Sequence, residues 1–389
     1  MNPEITTNNQ QVPVQPNQNT DEHYEVASQW KLMWMKFKKH KLAIISAPVL
    51  LVLLILAAFA EFLSPHIPLE RFSDYKYAPP QTLHFVHPEN GFSLRPFVYD
   101  LKEEMDQKTF RKTFTEDPSK AYYLHFFTKG TEYKFWGLFK TNRHIIGLEN
   151  ADAPFFLMGT DSLGRDLFSR ILHGSRISLS FAFLGIILVV ILGVVLGGIS
   201  GYFGGIVDTI IQRLIDLLMC IPTIPLWMAL AAALPSSWSP SKIYLGMVMI
   251  LSIIGWTGLA RVVRGKILSL REEDFTMAAR LAGASNFRII MKHLVPSFAS
   301  YIIINVTISI PTTILGETSL SFLGLGLQAP VVSWGVLLGE SQKLENLAHH
   351  PWLLWPAAFI IVAVLVFNFL LEMVCVMQQI LINKGVSRE

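Results

Sequence analysis

Six stretches of this chain are apolar over the roughly 20 residues that a helix needs to cross a bilayer, and no other feature narrows the fold as much. They run approximately from Leu42 to Leu63, Ile177 to Ile199, Leu214 to Leu234, Ile243 to Ala260, Ser297 to Leu315 and Trp352 to Leu371. Charged residues make up 16% of the 389, against about 25% in a soluble domain, and the mean hydropathy is +0.41. A water-soluble enzyme is excluded on these grounds, and a net charge of +3 gives no footing for a nucleic-acid binder. Cys220 and Cys375 both sit in apolar runs, so neither a disulfide framework nor zinc-ligand spacing is present. The arithmetic points to an integral membrane protein.

Two of the six spans carry marks of a kink or break. The third contains Asp216, Pro222 and Pro225, and the second contains Gly193, Gly197, with Gly201 and Gly205 beyond it. Glycines four residues apart let a neighbouring helix approach closely. Orientation follows from lysine and arginine in the short connections. Lys31, Lys36, Lys38, Lys39 and Lys41 precede the first span. Seven basic residues against Glu272, Glu273 and Asp274 lie between spans four and five, and Lys384 and Arg388 follow the last. All three clusters fit an even number of spans with both termini cytoplasmic.

Residues 1–29, rich in Asn, Gln, Pro and Thr, lack the apolar content to offset chain entropy and read as a disordered cytoplasmic tail, without the pattern of a secretory signal. Trp30, Met33, Trp34 and Phe37 recur at helical spacing among the lysines, as in a helix lying on the inner membrane surface; a basic lead-in that sets orientation is the alternative. The segment 64–158 holds 12 basic and 12 acidic residues and 19 aromatics in 95 positions. It reads as a small folded external domain, with two β-rich runs around a Lys129-Gly130 turn. A long unstructured loop is the other reading, and such loops are uncommon.

The sequence has no phosphate-cradling G-x-x-x-x-G-K-[ST] loop, no nucleophile elbow and no metal motif, so neither a catalytic residue nor a metal ligand is expected; His349-His350 reads as a solvated pair. The basic connection REEDFTMAARLAGASNFRIIMKHLVPS (271–297) is the most informative segment. Its small residues Ala278, Ala279, Ala282, Gly283 and Ala284 suit a helix–turn–helix bend. Met277, Leu281, Phe287, Ile289 and Ile290 supply apolar contacts, rimmed by Arg280, Arg288 and Lys292. An apolar loop of this kind needs cover, either from a partner or from its own membrane domain.

This loop resembles the E-A-A-x-x-x-G…I-x-L-P signature of importer permeases of the ATP-binding-cassette class. Ala278, Ala279, Gly283 and Pro296 match, while Met277, His293 and Val295 stand where Glu, Ile and Leu would be. GTDSLGRDLFSRILHGSRISLS (159–180), GYFGG (201–205), GWTGLARVVRG (255–265), ETSLSFLGLG (317–326) and SWG (333–335) follow in order. Together they resemble the C-type permease of dipeptide, oligopeptide and nickel importers, over about residues 30–60 and 157–371. The ending LLEMVCVMQQILINKG departs from the family's usual last span, and the 64–158 insertion is longer than in its simplest members.

The resemblance implies an all-α membrane protein, six transmembrane helices of the type I importer fold with the external domain inserted between helices 1 and 2. The expected partition is 30–63 (interfacial helix and first span), 64–158, a permease domain at 159–376 with its coupling loop at 261–296, and a cytoplasmic tail at 377–389. It implies a non-catalytic subunit of a bacterial inner-membrane peptide importer working by alternating access. Its partners would be a homologous second permease, two ATPase subunits that carry the ATP and Mg, an external solute-binding protein and membrane lipid, with no nucleic acid and no cofactor on this chain. Met277, Ala278, Ala279, Arg280, Gly283, Ala284, Arg288 and Pro296 would form the ATPase-coupling surface. Glu317 and Ser319 would line the translocation path or hold the external gate. For Gly159, Asp161, Gly164, Arg165 and Asp166 the residues suggest a structural turn, with Asp161 capping, Gly164 bending and Arg165 paired to Asp166; substrate contact is the alternative. Oligosaccharides, peptide antibiotics and nickel remain alternative cargoes. An ion-driven secondary transporter is the alternative class, which would need several in-span ionisable groups and usually internal repeats.

Overall fold

The computed structural model describes residues 38, 41–87, 91–105, 107, 112–150, 153, 155–235 and 237–386, with side chains as far as residue 370. The segment 1–29 and the helix expected around Trp30, Met33, Trp34 and Phe37 lie outside the described residues. Five helices are long and apolar enough to cross a membrane, and one bent pair makes a sixth. These are α1 (Lys41–Ala58), α3 (Leu167–Phe203), the pair α4 (Gly205–Cys220) and α5 (Thr223–Ala232), α6 (Pro240–Leu270), α8 (Ala299–Phe322) and α11 (Trp355–Val386). Between them, α2 (Ala60–Leu63) follows α1, α7 (Asp274–Leu281) opens the basic connection, and α9 (Trp334–Gly339) and α10 (Leu344–His349) lie between α8 and α11.

The expected break in the third span is real. Its halves meet at 90° across Ile221 and Pro222, since proline has no N–H to continue the ladder. The expected break in the second span is absent: α3 runs 37 residues without interruption, about 55 Å at 1.5 Å per residue. Its glycines serve packing instead. A Cβ at Gly193 would meet Leu259 at 2.8 Å, one at Gly197 the Ala260 carbonyl at 2.5 Å, and one at Gly201 the Arg264 carbonyl at 2.8 Å. The ladder stops there, because Gly205 faces open space and opens α4 after the chain turns at Gly204 (φ 64°). Helices α3 and α6 are thereby locked along their length. A core of Leu53, Ile171, Ile186, Ile314, Trp334, Ile360 and Phe367 ties α1, α8, α9 and α11 to α3.

The insertion is a four-stranded antiparallel sheet in the order β1 (His84–His87), β2 (Gly91–Met105), β3 (Lys112–Phe135) and β4 (Phe139–Leu148). The description all-α therefore holds for the membrane part alone. The turn expected at Lys129-Gly130 is not one: β3 passes through both residues with a register shift between Lys129 and Tyr133. The reversal comes at Trp136 and Gly137, both at positive φ (51° and 74°), and the Leu138 N–H closes on the Phe135 carbonyl at 2.9 Å. That is the mirror-image turn whose twist suits a hairpin. The sheet unit packs beside α2 and the start of α3; the basic connection packs against the far end of α3. The two lie at opposite ends of the bundle.

Candidate functional site

The basic connection folds as expected, as helix–turn–helix. Asp274 stands in the first turn of α7 and Arg280 in its last, each favourable to the helix dipole. The chain leaves α7 by a Schellman turn: the Gly283 N–H donates to the Arg280 carbonyl at 3.0 Å and the Ala284 N–H to the Ala279 carbonyl at 3.1 Å. Gly283 takes φ +79°, and nothing lies within 4 Å of where its Cβ would be. Glycine is required there by backbone angle and not by crowding. Ser285 then caps the short turn Asn286–Arg288. A π-helical run, Ile289–Leu294, carries the chain towards Pro296 and α8.

Two faces of this loop do different work. Ile289, Ile290, Leu294 and Phe298 are buried against Val263 and Ile267 of α6 and Tyr202 of α3, with Ala279 and Ala284 packed on the same cluster. Tyr202 holds the second arm through Asn286 (3.0 Å) and the first through Arg280 (3.4 Å), whose guanidinium also stacks over its ring at 5.6 Å. Thr276 is fully buried and donates to the Leu270 carbonyl at 2.8 Å. Facing outward are Phe275, Met277, Ala278, Leu281 (87% exposed), Phe287 (73%), Arg288 and Pro296. The expected coupling residues thus divide: Met277, Ala278, Arg280, Gly283, Arg288 and Pro296 are at the surface, while Ala279 and Ala284 serve the loop's own packing. Next to the loop, Asp208 and Asp216 of α4 pair with Arg264 and Arg261 of α6, each at 2.5 Å.

The opposite end of the bundle is closed by charge. Asp161 accepts from the backbone N–H of Leu163 (2.8 Å) and Arg165 (3.0 Å), then from Arg165 Nε at 2.6 Å and from Arg170. Glu340, beyond α9, accepts from Arg165 (3.0 Å), Arg170 (3.3 Å) and Ser162 (3.2 Å). Buried Asp161, Arg165 and Arg170 are thus matched with partly exposed Glu340, two acids against two bases. Arg165 does not pair with Asp166 as expected. Asp166 caps α3, accepting from the N–H groups of Phe168 and Ser169, and burial pushes its carboxyl up to about 7. Gly164 bends as expected (φ +73°), and a Cβ there would overlap the Phe72 carbonyl. Gly159 (φ +76°) is crowded by the Ala78 carbonyl and Trp352. Glu340 and Arg170 were not among the residues the sequence singled out; a pairing 170 residues apart leaves no local pattern.

Glu317 is fully buried below this cluster. Its carboxyl accepts from Ser333 (2.7 Å), Ser321 (2.8 Å) and Ser178 (3.4 Å). Ser178 in turn accepts from the Trp334 N–H at 3.1 Å, and the Trp334 indole donates to the Ile171 carbonyl at 3.3 Å. One carboxyl therefore joins α3, α8 and the cap of α9. Ser319 is exposed two residues on, and its hydroxyl is spent on the Leu315 carbonyl (2.7 Å). Asp216 and Glu317, the in-span acids singled out from the sequence, are both engaged, the first by Arg261 and the second by three serine hydroxyls.

Residues 193–378 match the family described as binding-protein-dependent transport system inner membrane component, and residues 28–80 match the N-terminal TM domain of oligopeptide transport permease C. The chain is 33% identical over 225 residues to the oligopeptide transport system permease OppC of Bacillus subtilis, covering 57% of this chain and 71% of that one. It is 40% identical over 213 residues to the dipeptide permease DppC of Alkalihalophilus pseudofirmus, covering 54% and 67%. Among solved structures it is similar to the MetNI methionine ABC transporter in inward-facing conformations, with 16% identity, a TM-score of 0.41, and coverage of 53% and 95%. Because OppC and DppC are 33% and 40% identical to it over 71% and 67% of their own lengths, the chain belongs to the ABC importer permeases, among the C-type subunits of the oligopeptide and dipeptide systems.

Proposed function

We propose that this subunit moves peptides across the bacterial inner membrane, together with a homologous second permease, two ATPase subunits and an external binding protein. The insertion and the Asp161–Glu340 cluster lie on the external side, and both termini and the loop around Gly283 lie in the cytoplasm. The observation that carries the reading is the loop: an apolar tip, Met277, Leu281 and Phe287, held outward on a buried base. Such a tip needs a partner to cover it, and an ATPase cleft is the partner that gives a permease its energy. ATP and Mg belong to that partner, and no bond in the cargo is broken by this chain. Closure of the ATPases would move the loop, and the α3–α6 unit locked at Gly193, Gly197 and Gly201 would carry the motion to the far end. There Glu317 and the Asp161–Arg165–Arg170–Glu340 cluster form the external gate in its closed state.

Proteoliposomes holding the assembled transporter and its binding protein test this directly. ATP inside the cytoplasmic compartment should drive uptake of labelled di- and oligopeptides, and Leu281→Glu with Phe287→Glu should release the ATPase subunits on purification. Peptide flux that an ion gradient drives in the absence of ATP would overturn the proposal.

A further inference from the structure

The insertion presents an apolar patch that neither the loop nor the gate uses. At the β3–β4 turn Trp136, Leu138 (75% exposed) and Phe139 all point outward, and Phe126 and Phe127 are exposed further back along β3. The height of this tip is fixed. The Trp136 indole N–H donates at 2.8 Å to the carbonyl of Ala58, the last residue of α1. Arg176 lies over the Trp136 ring at 5.5 Å. It is itself held by the carbonyls of Ala57 and Ala58 (3.0 Å each) and by the carboxylate of Glu61. Phe135 packs on Phe59 with ring centroids 6.0 Å apart. The tip therefore stands level with the end of the first span.

Two further features meet it there. A side cavity of about 740 Å³ opens below Trp136 between α1, α3 and α6, lined among others by Leu54, Ala57, Ile177, Phe183 and Leu245. Lys134 and Lys140 face each other across the hairpin in register, and neither makes an ion pair among the described residues. Like charges directly opposite each other repel, and an anionic surface would offset that cost.

We propose that the β3–β4 tip is an anchor in the lipid headgroup boundary of an anionic leaflet, with an acyl chain filling the cavity beneath Trp136. Continuity selects lipid as the occupant: the patch adjoins Phe59, which Phe135 touches, and through it the exposed apolar face of α1, Leu51, Val52 and Ile55. Tryptophan suits this depth, its ring in the apolar zone and its N–H satisfied. The lysine pair sits where phosphates would lie. The proposal rests on α1 crossing the membrane and on nothing about cargo or ATP.

The test uses the assembled transporter in nanodiscs, with Cys220 and Cys375 replaced by Ser and a fluorophore on Leu138→Cys or, as reference, on Leu94→Cys (90% exposed) at the other side of the sheet. Lipids brominated near the headgroup should quench the Leu138 probe several-fold more than the Leu94 probe. Lys134→Glu with Lys140→Glu, or replacing anionic by zwitterionic lipid, should reduce that difference. Equal quenching at the two sites overturns the proposal. So does a Leu138 probe that is shielded in the complex and becomes quenched when the second permease is left out, since a protein would then cover the tip. Neither readout involves peptide uptake, so failure of the peptide reading leaves it standing.

Discussion

The two ends of the bundle solve opposite problems. Around Asp161 four charged side chains are drawn inward and matched, so that end gains from staying as it is. Around Gly283 the polar backbone is satisfied within the turn, and apolar side chains are left outside, so that end gains from acquiring a partner. One end stores its interactions and the other offers them. The difference shows that one helical bundle can match its charges internally at one end and leave apolar side chains uncovered at the other.

The largest effect is expected where stored charge is broken. Asp161→Ala leaves Arg165 and Arg170 buried with Glu340 as their remaining acid, and breaking such a group costs about 3–5 kcal/mol. Thermal unfolding of the purified subunit should drop steeply, whereas Leu281→Ala should leave it unmoved. A similar loss at both positions would erase the contrast between the ends. Next comes the turn. Gly283→Val forces a β-branched residue to φ +79°, at about 1–3 kcal/mol of local strain. The protein should still reach the membrane but fail in ATP-driven peptide uptake. Gly283→Asn, which tolerates left-handed angles, should retain part of the activity; Asn and Val behaving alike would argue against backbone angle as the cause.

Smaller again is the effect of the outward face. Leu281→Glu or Phe287→Glu should change stability by less than about 0.5 kcal/mol, while weakening ATPase retention at least tenfold, about 1.4 kcal/mol. Pull-down from detergent reads the second and melting the first. Ala279→Glu, by contrast, strikes the buried base and should lower stability together with coupling. The last effect appears only below neutral pH. Burial holds His66, at the seam between the sheet and α2, down at about 4, against the pull of Glu70 and the Phe155 carbonyl. A depressed histidine keeps its contribution above its unfolded value near 6.5 and loses it as pH falls towards 4. Seam stability should decline over that window by no more than about 1.4 kcal/mol per pH unit. His66→Gln should flatten the dependence, and an unchanged slope in that variant would assign it to another group.

What the sequence made legible follows from the range of the forces involved. A span is a contiguous apolar run, so its existence is written locally, and so is the proline break at Pro222. The helix–turn–helix was legible because a Schellman turn needs glycine at one place. The hairpin turn was misplaced because Gly130 looks like a turn residue; in the fold it leaves room for the His144 ring, 2.7 Å from where its Cβ would stand. Trp136-Gly137, seven residues on, was the better signal, although a tryptophan at positive φ is rare. The partners of Arg165 were hidden for another reason. Arg165 has an acid next to it in sequence, Asp166, but α3 needs that acid as its cap, so the arginine turns to Asp161 and to Glu340, 175 residues away.

The π-helical run between the loop and α8 has a consequence of angle. Across Ile289–Leu294 the ladder reaches one residue further back than an α-helix does, with the Val295 N–H bonded to the Ile290 carbonyl. Each α-helical residue turns its helix by about 100°, and the wider turn takes up one extra residue without passing that rotation on to the short turn that bears Phe287. Held to α-helical pitch, the same number of residues would rotate Phe287 by about that angle relative to the turn that follows. The outward aim of Phe287 is therefore kept by a widened turn, in the way a shim keeps a part in line.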